Sequence, residues 1–132
     1  MGTIPSVTAI YSGFLGLLLL ALSYRVTRHR QRAKIGIGDG GDPDLARAIR
    51  AHANFVEYVP LALLLLLACE LAGGPPWLLH GAGAVLLASR ALHAQGLSGA
   101  SGLSPGRFYG TLGTWIVLLA LALAALWLGL SG

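Results

Sequence analysis

The sequence predicts an all-α membrane protein, a bundle of four transmembrane helices in one domain over residues 1–132, and three observations carry that prediction. The chain is 55% hydrophobic and 11% charged with a mean hydropathy of +0.72, too little polar surface for a water-soluble domain of this length. Long apolar runs alternate with short breaks rich in Gly and Pro. The basic residues gather at alternate breaks, as topology demands of membrane helices.

Helix one is expected over about 4–32. Its apolar part, Ile4 to Tyr24, contains no charge and is long enough to cross about 30 Å of hydrocarbon at about 1.5 Å per residue. Ala21-Leu22-Ser23 loosely resembles a signal-peptide cleavage site. The basic cluster follows the apolar run instead of preceding it, which favours a retained helix. Met1-Gly2-Thr3-Ile4-Pro5-Ser6 fits a myristoylation pattern, but the orientation below puts this end on the wrong side of the membrane.

Gly36, Gly38, Gly40 and Gly41 break the chain before helix two, expected over about 43–72. Asp42 suits an N-cap, Pro43 the first helical position and Asp44 the positive end of the helix dipole. The loop aspartates lack the spacing of a calcium site, and no metal-ligand constellation appears elsewhere. Gly73-Gly74-Pro75-Pro76 ends helix two and begins helix three, about 77–97. Gly96, Gly99, Gly102 and Pro105 mark the last turn, before helix four at about 105–130. Cys69, the single cysteine, reads as a small apolar core residue.

Arg25, Arg28, Arg30, Arg32, Lys34, Arg47 and Arg50 flank the first loop, Arg90 lies late in helix three, and Arg107 opens helix four. The positive-inside rule places both termini outside and the first and third loops in the cytoplasm, for an integral, multi-pass protein. The net charge of +4 has no aromatic-interleaved basic groove to serve nucleic acid, so no nucleic-acid partner is expected. The preference for Ala, Gly, Leu and Arg over Lys points to a bacterial inner membrane.

On helix two, Arg47, Arg50, Asn54, Glu57 and Tyr58 share one face, with the polar residues confined to the helix's first half. An Arg50–Glu57 pair with Asn54 tying helices together is the plainest reading of this stripe. It leaves unexplained the arginines arriving from the other helices: Arg28 and Arg30, Arg90 with His93, and Arg107. Several guanidiniums at one depth call for an anion carrying carboxylates or phosphates. Glu57 could hold an amine on the same molecule, so an amphoteric, peptide-like ligand is expected. His52 points away from the stripe, which suggests a subunit-interface contact. His80 reads as a satisfied histidine near the outer face.

The run Arg50-Ala51-His52-Ala53-Asn54-Phe55-Val56-Glu57-Tyr58-Val59-Pro60-Leu61 resembles the helix-two signature of the MAPEG family, the membrane-associated proteins of eicosanoid and glutathione metabolism. The resemblance extends to the basic end of helix one, to Arg90 with Gln95-Gly96, and to Arg107. It implies a homotrimer of four-helix subunits, with glutathione as co-substrate between neighbouring subunits near the cytoplasmic face. Arg50, Asn54, Glu57 and Tyr58 would bind it from one subunit, and Arg28 or Arg30, Arg90, His93 and Arg107 from the next. The resemblance also allows His52 near the ligand. Arg107, with Arg30, takes the catalytic role by analogy, Arg107 stabilising the glutathione thiolate. The electrophile or lipid hydroperoxide would come from the surrounding membrane lipid. The leukotriene-forming branch has tyrosines where His93 and Leu97 stand, so its substrate specificity is not implied.

A non-catalytic lipid-binding or scaffold protein is the alternative within the same family, but it would not need Arg50, Asn54, Glu57 and Arg107 together. A four-helix multidrug transporter would need an acidic residue in its first span, and this one has none.

Overall fold

A computed structural model describes residues 4–96 and 104–132. Four helices follow one another: α1 (Ser6–Ala33), α2 (Pro43–Leu71), α3 (Pro76–Gly96) and α4 (Pro105–Ser131). No strand occurs among the described residues. The expected end of helix three at Leu97, the turn through Gly99 and Gly102, and the start of the myristoylation pattern at Met1-Gly2-Thr3 lie outside them.

Helices α1, α2 and α4 are each long and apolar enough to cross a membrane. Helix α3, expected as the third of four spans, is not among these three. Its 21 residues include His80, Ser89, Arg90, His93 and several glycines, and these dilute its apolar character. Buried Leu15, Leu22, Phe55, Val59, Leu66, Leu86, Val117 and Leu121 form the common core. Phe14, Leu17, Leu64, Ile116, Leu119, Leu123 and Trp127 point outward, an apolar exterior suited to lipid rather than water.

Local chemistry sets the helix ends. Helix α1 closes on Lys34 in the left-handed conformation, where the chain returns a hydrogen bond to the Arg30 carbonyl. The Asp42 side chain accepts from the Asp44 and Leu45 amides at 2.9 and 3.0 Å, starting α2 with Pro43 in its first turn. At the far end of α2, Gly73 adopts a φ of +78°, and the Gly73 and Gly74 amides bond back to the Glu70 and Cys69 carbonyls.

Glu70 departs from the reading of helix two as polar only in its first half. It is buried, and its two carboxylate oxygens accept from the Val7 and Thr8 amides at 2.8 and 2.7 Å. The first turn of α1 has no acidic residue of its own, so a carboxylate from α2 satisfies its orphan donors. Beside it, the Tyr11 hydroxyl donates to the His80 carbonyl at 3.1 Å and meets the ring Nδ1 at 3.3 Å. His80 is thus satisfied by helix α1. Cys69 is buried with Sγ 3.6 Å from the Leu121 carbonyl.

Glycine lets α3 and α4 touch at the opposite end. A Cβ on Gly110 would meet the Ser89 carbonyl at 2.6 Å and the His93 amide at 2.8 Å. One on Gly113 would meet Ser89 Oγ at 2.1 Å, and one on Gly106 the Leu92 carbonyl at 2.9 Å. Small residues at i, i+4 and i+7 give backbone-to-backbone packing, which sets the rotation of α4 against α3. Gly110→Ala places a methyl group against backbone that cannot move aside. It is expected to lower stability by about 1–3 kcal/mol, measured as a fall in the thermal unfolding midpoint in detergent.

Candidate functional site

The basic ends of α2, α3 and α4 meet around one side chain. Arg90 is 1% exposed, an expensive burial for a guanidinium in an apolar bundle. Its Nη2 donates to Asn54 Oδ1 at 2.8 Å and lies 3.4 Å from His93 Nδ1. Arginine carries only donors, so His93 Nδ1 must accept, which puts the proton of the neutral ring on Nε2. The guanidinium carbon lies 5.8 Å from the centroid of the Phe55 ring, so the cation also meets a π face. Arg90 Nε and Nη1 have no hydrogen-bond partner among the described residues.

One cavity opens on this cluster, and a second lies beside it. One, of about 310 Å³, is lined by Arg50, Asn54, His93, Ser104, Arg107, Phe108, Thr111, Leu112 and Trp115. The other, of about 500 Å³, lies against the α1–α2 loop and is lined by Gly38, Asp39, Ala46, Arg47, Ile49, Arg50, Ala53 and Arg107. Arg50 and Arg107 belong to both walls. The first cavity runs from that pair toward aromatic and aliphatic side chains, the second toward a polar loop. Arg107 sits in the first turn of α4, whose N-cap Ser104 accepts from the Arg107 amide and donates to the Gly96 carbonyl at 3.0 Å.

The sequence-predicted residues separate into groups. Arg50, Asn54, His93 and Arg107 come together in the smaller cavity. Glu57 pairs with Arg50 at 3.4 Å, and both side chains are half-exposed. Neither Glu57 nor the half-buried Tyr58 lines these two cavities. Arg90 stands behind the cavity wall and positions Asn54 and His93 rather than facing the space.

Helix α1 contributes less than expected within the chain. Arg28 is exposed and lines neither cavity. Arg30 turns to the loop, with Nη1 donating to the Gly38 carbonyl at 2.8 Å and lying 3.4 Å from that of Ile35. The expected convergence therefore comes from α2, α3 and α4, because the left-handed turn after α1 brings loop carbonyls within reach of Arg30. His52 Nε2 lies 3.1 Å from Ser23 Oγ on α1, so the ring has a partner within the chain.

Four lining residues in particular escaped the sequence reading. Asp39, taken for turn chemistry, lines the larger cavity, and Phe108, Leu112 and Trp115 form the apolar side of the smaller one. The aromatic pair Phe108–Trp115 at i, i+7, following Arg107, was the available signal.

An integral-membrane helix bundle carrying an arginine-walled cavity at one end is the class these features define. The MAPEG family model matches residues 8–127, and the chain belongs to that family. It is 41% identical over 121 residues to the inner membrane protein YecN of Escherichia coli strain K12, covering 92% of this chain and 91% of YecN. The YecN of Escherichia coli O6:H1 gives the same identity and coverage. No solved structure matches the chain.

Removing the Asn54 amide would take from Arg90 its shortest hydrogen bond. Asn54→Ala is expected to destabilise the bundle by about 1–3 kcal/mol, read from the thermal unfolding midpoint in detergent.

Proposed function

We propose that the protein is a membrane-bound glutathione-dependent transferase or peroxidase acting on lipophilic electrophiles or lipid hydroperoxides. The observation that carries this reading is the cavity in which Arg50, Asn54, His93 and Arg107 stand beside Phe108, Leu112 and Trp115. Glutathione offers carboxylates to the guanidiniums and a thiol that can sit beside Arg107. A free thiol has a pKa of about 8.5, and a cation next to it favours the thiolate. Phe108, Leu112 and Trp115 suit a second substrate that partitions into lipid.

In the transferase reaction the thiolate sulfur bonds to the electrophilic carbon, and the leaving group departs with the bonding electrons. In the peroxidase reaction two glutathiones reduce one hydroperoxide to alcohol and water and are joined as a disulfide. His93, Asn54 and Arg50 bind and orient in either case, and Arg107 holds the negative sulfur. Metal chemistry has no part in this scheme.

The family resemblance supports a homotrimer with the site between subunits. In that assembly, Arg28, Tyr58 and His52 are candidates to reach a neighbour's ligand. Both termini are proposed to lie outside, with the site near the cytoplasmic face. The name of the Escherichia coli relatives supports a bacterial inner membrane.

Calorimetric titration of detergent-solubilised protein with glutathione, paired with ultraviolet absorbance of the thiolate, tests the proposal. The wild type is expected to bind and to show the thiolate signal. Absence of binding at about millimolar glutathione removes the enzymatic reading and leaves the lipid-binding one. Arg107→Ala is expected to abolish the thiolate absorbance while keeping measurable affinity. An unchanged signal would mean that another cation holds the sulfur. Glu57→Gln removes the carboxylate that holds the Arg50 side chain in place and is expected to weaken binding by about tenfold.

A further inference from the structure

The carboxyl end of α1 carries cations that no carboxylate of the described residues balances. Arg28, Arg32 and Lys34 are exposed, and none of them forms an ion pair among those residues. Helix α1 itself contains no acidic residue. The carboxylates of the adjoining segment are engaged elsewhere: Asp39 within its own turn, Asp42 as the cap of α2, Asp44 with Arg47 and Glu57 with Arg50. Arg30 differs from its neighbours, because the Gly38 and Ile35 carbonyls occupy it. The dipole of α1 offers its last turn only about half a negative charge, too little for three further cations.

These charges continue a lipid-facing stripe. At about 100° per residue, Leu17, Leu20, Tyr24, Arg28 and Arg32 fall within about a third of the circumference of α1. Leu17 and Leu20 are each 66% exposed and Tyr24 is 65% exposed. The face therefore passes from aliphatic side chains to a tyrosine, a residue suited to the membrane–water boundary. Guanidiniums follow at about 6 and 12 Å beyond it. A phospholipid presents matching chemistry in the same order: acyl chain, glycerol ester, phosphate. Guanidinium and ammonium groups both recognise phosphate oxygens. A zwitterionic headgroup would bring its own cation against these cations, so the match is to a headgroup with net negative charge.

We propose that the carboxyl end of α1 is a binding site for an anionic phospholipid of the adjoining leaflet, with Arg32 and Lys34 holding the headgroup and Tyr24 at the level of its glycerol. Arg28 stands between them on the same face, but the site does not depend on it, since in a trimer it is also a candidate for a neighbour's ligand. Neither Arg32 nor Lys34 lines the cavities assigned to catalysis, so this inference stands apart from the enzymatic reading.

Local lipid enrichment tests it. Ala21 is exposed on the same stripe, and the native Cys69 is buried, so Ala21→Cys directs a bimane fluorophore to this face. The labelled protein is reconstituted in phosphatidylcholine vesicles containing a minority of brominated phosphatidylglycerol or, in parallel, brominated phosphatidylcholine, and contact quenching is compared. Phosphatidylglycerol is expected to be enriched about tenfold over phosphatidylcholine at this face in low salt. Arg32→Gln with Lys34→Gln is expected to lower that enrichment by about fivefold or more, and Arg32→Lys to keep most of it. Salt at about 1 M should collapse the enrichment without any substitution of the two cations. A label at Ile10→Cys, toward the other end of the same stripe, is expected to report no preference. Equal quenching by the two lipids at Ala21→Cys overturns the inference. An enrichment that survives loss of both cations, or that is equal at both labels, also overturns it, since the protein's overall charge would then be its source. Should the double variant fail to reconstitute, the salt series decides, and an enrichment indifferent to salt overturns the proposal.

Discussion

Arg90 sits where lipid-facing helices can least accommodate a charge, and its neighbours are arranged around that fact. Desolvating a guanidinium costs several kcal/mol unless hydrogen bonds and a polarisable surface offset it. Asn54, His93 and the Phe55 ring supply those contacts from α2 and α3. Their geometry is therefore tied to one rotation of α2 against α3. Glycine contacts then seat α4 on α3, carrying Arg107 to the edge of the same cluster. The cavity wall is a consequence of these two packings and not a separate construction.

The two ends of the bundle are organised differently. At one end, Glu70 caps α1 and Tyr11 reaches His80, so side chains from three helices fasten one another. At the other, α1 releases into a glycine-rich loop held by Arg30, and space opens between the loop and α2. The bundle is thus fastened at one end and carries its loop and both arginine-lined cavities at the other.

The fold was legible because its punctuation is local. Asp42-Pro43 and Gly73 through Pro76 act through caps, missing donors and positive φ, all of which travel with residue type. The stripe was legible for a related reason: Arg50, Asn54 and Glu57 recur at helical spacing inside an apolar helix, where polar groups are rarely incidental. What sequence spacing could not tell was which way each helix turns. Arg90 and Arg107 look alike in sequence, yet packing buries one and sets the other in a cavity wall. Arg30, expected at the ligand, meets two loop carbonyls within the chain, contacts that spacing does not reveal. Glu70 was overlooked because its partners are amides more than 60 residues away, which no periodicity reveals.

Arg50 and Arg107 stand in the wall of both cavities, one bordered by a polar loop and the other by aromatic and aliphatic side chains. If the pair works as proposed, it takes, in the language of solution chemistry, the place of a phase-transfer catalyst. A phase-transfer catalyst is a cation that carries a water-loving anion to a boundary where an oil-soluble reagent can meet it. Here the cations are immobile, and the boundary is built into the fold. The reagents must come to it, each from the medium in which it dissolves. Turnover on such a device would depend on how strongly the second reagent concentrates in lipid as much as on its chemical reactivity.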